Sequence, residues 1–153
     1  MTQHSAGILL YRYQGGVLQV LLVHPGGPFW VNKDQHAWSI PKGLFDRDED
    51  PLTAAKREFR EETGFEVNGR FIALGELKQP STKIVYAWAL EGNIDASKIS
   101  SNTFTIEWPR HSAQMREFPE IDKAEWFELA TARQKLHKGQ IPFLEKLLSS
   151  LTS

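Results

Sequence analysis

Short apolar runs broken by turn residues dominate the first quarter of the chain. Residues 6–12 (AGILLYR) and 17–23 (VLQVLLV) flank Gln14-Gly15-Gly16, which predicts a β-hairpin. The Gly/Pro-rich stretch from His24 to His36 (HPGGPFWVNKDQH) cannot hold regular structure for long. Trp38–Ile40 reads as a further short strand, stopped by Pro41. From Asp50 the period changes. Leu52, Ala55 and Phe59 recur at i, i+3 and i+7, one face of a helix over residues 51–63. Asp50 can cap that helix, Pro51 suits its first turn, and Gly64 can end it. Beyond it, residues 70–77 and 83–90 (KIVYAWAL) read as strands joined across Lys78-Gln79-Pro80-Ser81. Two more strands are expected near Phe104–Trp108 and Ala124–Leu129. Phe143, Leu144, Leu147, Leu148 and Leu151 then mark a C-terminal helix. Several strands with one internal and one terminal helix predict an α+β sandwich.

Composition narrows the function classes. A chain of 153 residues, 41% hydrophobic and 24% charged, fits one domain over residues 1–153 and disfavours wholesale disorder or a coiled coil. No apolar run approaches the roughly 20 residues that span a bilayer, so no membrane partner is expected. The start, MTQHSAGILLYRY, lacks the charged, apolar and small-residue segments of a signal peptide, which predicts a cytoplasmic protein. Zero cysteines exclude a disulfide framework, a thiolate zinc site and a cysteine nucleophile. With 18 basic and 19 acidic side chains there is no global pull toward nucleic acid. The local charge is more telling, because residues 42–66 hold 8 of the 19 acids.

On a helical wheel advancing about 100° per residue, Glu61 and Glu62 flank Glu58 at about 60° and 40°. The apolar positions Leu52, Ala55 and Phe59 fall at roughly 60–120°, so the three carboxylates border the buried face. Stability alone does not favour this. Like charges at i, i+4 cost roughly 0.2–0.5 kcal/mol, and acids in a last helical turn cost about 0.3–1 kcal/mol each. Arg57, Lys56 and Arg60 offset part of that. A hard divalent cation would offset more, because Mg²⁺ takes oxygen ligands.

The wider spacing is specific. Gly43, five residues, Glu49, seven residues, then Arg57-Glu58-Phe59-Arg60-Glu61-Glu62-Thr63-Gly64-Phe65 matches the Nudix box at every defined position. The chain therefore resembles the Nudix hydrolases, whose fold is an α/β/α sandwich around a mixed sheet. The resemblance implies Mg²⁺- or Mn²⁺-dependent hydrolysis of a nucleoside diphosphate linked to another group, through in-line attack of water on phosphorus without a covalent intermediate. It implies metal ligation by Glu58, Glu61 and Glu62 and by the Gly43 carbonyl. Glu49 and Arg57 would pair to fix the loop over the helix, Gly64 would end the helix in a left-handed conformation, and Phe59 would be core. The chemistry agrees with the residue types: cations neutralise an anionic diphosphate, and a nearby carboxylate can take a proton from water. Glu61 or Glu62 could be that base; Glu107, Glu117 and Glu120 are downstream candidates, because the base varies across the family.

The substrate clues are fewer. Trp38-Ser39-Ile40-Pro41-Lys42-Gly43 resembles the W-x-L-P-K-G approach to the box in dinucleoside-polyphosphate and diphosphoinositol-polyphosphate hydrolases. Lys42 and Lys83 are thus the expected phosphate-binding lysines of a small-molecule nucleotide site. The tyrosine common after the box in dinucleoside-polyphosphate hydrolases is missing, with Thr82 in that region and Tyr86 the nearest. Pro80, 15 residues after Phe65, is reminiscent of ADP-ribose hydrolases, although turns favour proline anyway. Base stacking could use Trp30, Trp88, Trp108, Phe29 or Phe104. The five histidines show no metal-site spacing. Diadenosine tetraphosphate or a related dinucleotide is the leading expectation. ADP-ribose or a nucleoside triphosphate is the alternative, and a nucleotide-binding module without turnover is the alternative of another class.

Overall fold

The computed structural model describes residues 2–79 and 82–152. Pro80 and Ser81 of the expected turn lie outside them, whereas Lys78 and Gln79, expected in that turn, belong to the strand Ile72–Gln79 and pair with Ile84 and Lys83. Five strands form one path in the order β4-β5-β1-β2-β8: β4 (Ile72–Gln79), β5 (Lys83–Glu91), β1 (Gln3–Gln14), β2 (Val17–Pro25) and β8 (Ile121–Glu128). The short β3 (Lys42–Leu44) pairs with β1 off that path. β1 runs parallel to β5, and every other pair in the sheet is antiparallel, so the sheet is mixed. β6 (Thr103–Glu107) and β7 (Met115–Pro119) form a separate hairpin.

β1 is central, and its sequence says so. Ala6, Ile8 and Leu10 enter one core while Leu9 and Tyr11 enter the other, which leaves the strand apolar on both faces. β2 divides the same way, with Leu21 and Val23 on the first side and Val20 and Leu22 on the second. The first core is closed by Ala54, Ala55 and Phe59 of α1 (Pro51–Thr63). The second is closed by Ala132 of α2 (Leu129–Lys135) and by Phe143, Leu144 and Leu147 of α3 (Pro142–Thr152). A helical layer thus covers each face of the sheet.

Several elements differ from the sequence expectations, β3 among them, since no strand was expected after Pro41. Trp38–Ile40 is not a strand. Ser39 bridges Val23 and Trp38 bridges Leu136, so the segment passes between two partners and builds a ladder with neither. α2 was not expected: it has seven residues, and Ala132 is its one fully buried side chain, too short a stretch for a helical period to register. It begins at Leu129, which the sequence placed in the preceding strand. β7 was also not expected. Its sequence MREFP carries one half-buried apolar residue, Phe118, and no alternating face. The internal helix differs in detail: Ala54 and Thr63 are fully buried alongside Ala55 and Phe59, while Leu52 is half-buried.

β3 matters most for the site. Gly7 lets it approach, because a Cβ there would lie 2.6 Å from the Pro41 carbonyl oxygen. The Ile8 N–H donates to that oxygen at 3.1 Å. The segment leading to Gly43 is thereby fastened across the central strand, directly over α1.

Candidate active site

Asp50 opens α1 by accepting from the Thr53 N–H at 3.0 Å. Gly64 closes it at φ 82°, a left-handed conformation that a side chain would strain, and its N–H donates to Arg60 O. Between these ends Arg57 makes five hydrogen bonds to three carboxylates. Its Nε and Nη2 each donate at 2.9 Å to one oxygen of Glu49, a two-pronged pair that ties the preceding loop to the helix. Its Nη1 donates to Glu58 at 2.8 Å and to both oxygens of Glu61 at 3.2 Å. The surrounding carboxylates hold the guanidinium even more firmly protonated than usual, led by the Glu49 hydrogen bonds. In return Glu49 is pulled below its ordinary pKa.

Glu58 lies against Gly43. A Cβ on Gly43 would come within 1.9 Å of Glu58 Oε2, so only glycine leaves room for that carboxylate beneath β3. Burial and the charge of Glu61 raise the pKa of Glu58. Glu62 points the other way around the helix and accepts from the Lys42 N–H at 3.2 Å. Burial, chiefly, pushes its pKa up to about 8, with the charges of Glu58 and Glu120 adding to the effect. The Lys42 ammonium is depressed by the same cause, desolvation.

The donor chemistry of this helix face fits a hard divalent cation. All its side-chain donors are carboxylate oxygens. Three of them, one from Glu58 and two from Glu61, converge on one cationic nitrogen. Burial first, and neighbouring acids second, raise the proton affinities of Glu58 and Glu62, so both carboxylates carry charge that water does not fully compensate. As the side chains stand, no three His, Asp or Glu groups among the described residues share one point, because Glu62 is turned to the Lys42 backbone.

Beside this helix face opens a cleft of about 630 Å³. Glu62 and Lys42 line it from one side, Lys83 from the start of β5, and Glu120 from the turn before β8. Trp38 and Trp30 supply aromatic walls. Trp38 is buried, its indole N–H donating to Asp34 Oδ1 at 2.9 Å, whereas Trp30 is 40% exposed.

The family model for the NUDIX domain matches residues 1–147. The chain belongs to the NUDIX family. Among curated proteins, this NUDIX chain is similar to an RNA pyrophosphohydrolase of Bartonella henselae, with 36% identity over 66 residues. That match spans 40% of this chain and only 35% of the relative. Among solved structures, the fold is similar to that of a C. elegans Ap4A hydrolase in a binary complex (TM-score 0.68, 23% identity, 99% of this chain and 98% of that one). It is also similar to the NUDIX domain of Shewanella oneidensis NrtR complexed with ADP ribose (TM-score 0.65, 16% identity, 99% and 89%).

Within this NUDIX fold the residues singled out from sequence fall into two groups. Glu49, Arg57, Glu58 and Glu61 form the knot on α1, with Gly43 above it. Lys42, Lys83 and Glu62 line the cleft. Of the downstream acids, Glu120 reaches the cleft. Glu107 accepts the N–H groups of His111 and Ala113 and so closes the β6–β7 turn, while Glu117 is exposed on β7 opposite Thr105. Of the aromatic candidates Trp30 lines the cleft. Trp88 packs against the α1-side core, Trp108 meets Phe29 edge to face at 5.4 Å, and Phe104 stands over Gly27.

Gln79, His137 and Gln140 also line the cleft, with no sequence signal to mark them. Gln140 is buried and accepts from the Ile40 N–H at 3.0 Å, pinning the segment before Lys42 to the turn before α3. Some 100 residues separate these partners, a distance that no local spacing rule spans.

Proposed function

We propose that this chain hydrolyses a phosphoanhydride bond in a nucleoside diphosphate linked to another group, and that its substrate is a dinucleoside polyphosphate such as diadenosine tetraphosphate. One observation carries the reading. Two lysines remote in sequence, Lys42 and Lys83, line the same cleft as Glu62, beside the carboxylate knot of α1. The overlap with an RNA pyrophosphohydrolase and the intact box support hydrolysis.

Glu58, Glu61 and Glu62, with the Gly43 carbonyl, would hold Mg²⁺ or Mn²⁺, which when bound supplies charge neutralisation and a more acidic water. The chain's own residues do the rest. Lys42 and Lys83 bind phosphate oxygens and orient the chain of phosphates. The ring of Trp30 offers a face for a base. Glu61 or Glu62 takes the proton from the attacking water as its oxygen bonds to phosphorus and the bridging P–O bond breaks. Glu62 lines the cleft and Glu61 stands beside Arg57 on the same helix, and no side chain need become covalently attached.

A second reading, removal of pyrophosphate from RNA, is favoured by the name of the 36%-identical relative. One experiment separates these readings. The protein is incubated with diadenosine tetraphosphate, ADP-ribose, ATP, dGTP, oxidised dGTP and 5′-triphosphate RNA, with and without Mg²⁺. ATP plus AMP from the tetraphosphate, only with metal, is expected. Exclusive cleavage of RNA or of ADP-ribose would replace the substrate assignment. Tight nucleotide binding with no turnover of any compound would replace hydrolysis by recognition alone.

A further inference from the structure

His137 was passed over in the sequence, having no metal-site spacing, yet its surroundings are particular. It precedes the 3₁₀ turn Lys138–Gln140 and caps it with its own ring, Nδ1 accepting from the Gly139 N–H at 3.1 Å. A nitrogen that accepts cannot carry the proton, so the neutral ring holds its proton on Nε2. That N–H has no hydrogen-bond partner among the described residues, and the side chain lines the cleft. The backbone holds it there: the His137 N–H donates to Trp38 O at 2.7 Å, four residues before Lys42.

Partial desolvation lowers the pKa of the exposed His137, and Lys42, His36 and Lys83 lower it further, while Glu62 and Glu120 line the same cleft. The ring thus stays a neutral donor beside two ammonium groups. One N–H and two ammoniums from three separate elements face the same space.

We propose that His137 is a specificity-determining contact of this site, donating from Nε2 to a phosphate oxygen of the substrate and completing with Lys42 and Lys83 a three-point subsite for a polyphosphate chain. The inference rests on the phosphoanhydride reading above and adds to it a residue outside the box. The contact is made in the ground state as well as in the transition state, so it sets KM rather than kcat.

Two isosteric variants separate this role from mere capping. In His137→Asn the side-chain oxygen takes the place of Nδ1, so the cap on Gly139 survives and the Nε2 donor is lost. In His137→Gln the amide nitrogen takes the place of Nε2, so the donor survives and the cap is lost. Inorganic tripolyphosphate is the probe, titrated by calorimetry into the full chain with Mg²⁺ present. A charge-assisted hydrogen bond predicts about tenfold weaker binding for His137→Asn and near wild-type binding for His137→Gln. KM for the cleaved nucleotide should follow the same order with kcat nearly unchanged. The ring nitrogens of the wild type, followed by ¹⁵N NMR, should show the Nε2–H tautomer and a shift of Nε2 on addition of tripolyphosphate.

The opposite order, with His137→Asn intact and His137→Gln impaired, would make the ring a cap only and overturn the proposal. So would an Nδ1–H tautomer or an Nε2 signal indifferent to tripolyphosphate. If tripolyphosphate binds the wild type and both variants equally, the subsite falls while hydrolysis stands. If it binds none of them, the subsite also falls, and the cleavage panel alone decides the wider reading.

Discussion

Glu62→Gln should make the metal-free protein more stable while removing most of its activity. The substitution keeps the shape of the side chain and the oxygen that accepts from the Lys42 N–H, and deletes only the charge. In the fold that charge is poorly housed, since burial and two neighbouring acids raise the group from an ordinary 4.5 to about 8. A raised acid leaves stability whole below pH 4.5, then drains it progressively as pH rises toward 8, because the unfolded chain ionises first. Each unit of difference is worth about 1.36 kcal/mol. The relief from Glu62→Gln should therefore be near zero at pH 4.5, about 2 kcal/mol at pH 6, and level off at roughly 3–5 kcal/mol above pH 8. Urea unfolding with chelator present, at several pH values, measures this directly. A variant no more stable than wild type at pH 8.5, or a difference that does not grow between pH 5 and pH 8, would refute the burial argument. Activity should fall at least about a hundredfold at saturating Mg²⁺ on the proposed role of Glu62 as a metal ligand.

Other substitutions probe the neighbouring contacts. Gly43→Ala places a Cβ 1.9 Å from Glu58 Oε2 and must displace that carboxylate; initial rates should drop about a hundredfold or more, while circular dichroism stays native. Glu49 is held below its ordinary pKa by Arg57, so its contribution is present above about pH 4.5 and is lost as pH falls through its lower folded value. Glu49→Gln should accordingly flatten the acid limb of the stability profile, seen as Tm values that draw together with wild type as pH falls below about 4.5. Phe59, fully buried between α1 and the sheet, should cost about 3–5 kcal/mol when truncated to alanine, read as a lower urea midpoint.

The parts legible in the sequence were those whose physics is local. The period of Leu52, Ala55 and Phe59 placed α1, and Asp50 and Gly64 marked its ends, because caps and amphipathic faces are set within a few residues. The β1–β2 hairpin followed from two apolar runs around Gly15-Gly16. The box spacing named Glu49 and Arg57 together, and Arg57 does grip Glu49 with two donors. Where the signal was weak the reading failed: seven residues of α2 and the polar strand β7 carry too few buried side chains to impose a period.

Tertiary structure decided what faces what. Wheel geometry placed three glutamates along one border of a helix, but only the packed fold turns Glu58 and Glu61 to Arg57 and Glu62 to Lys42. It alone brings Lys83 to Lys42, places Glu120 and not Glu107 or Glu117 at the cleft, and sets His137 and Gln140 beside residues about 100 positions earlier. Such meetings depend on sheet order and on segments bridged across the cleft. Spacing along the chain encodes which residues share a helix face or a strand; it does not encode which distant elements will share a wall.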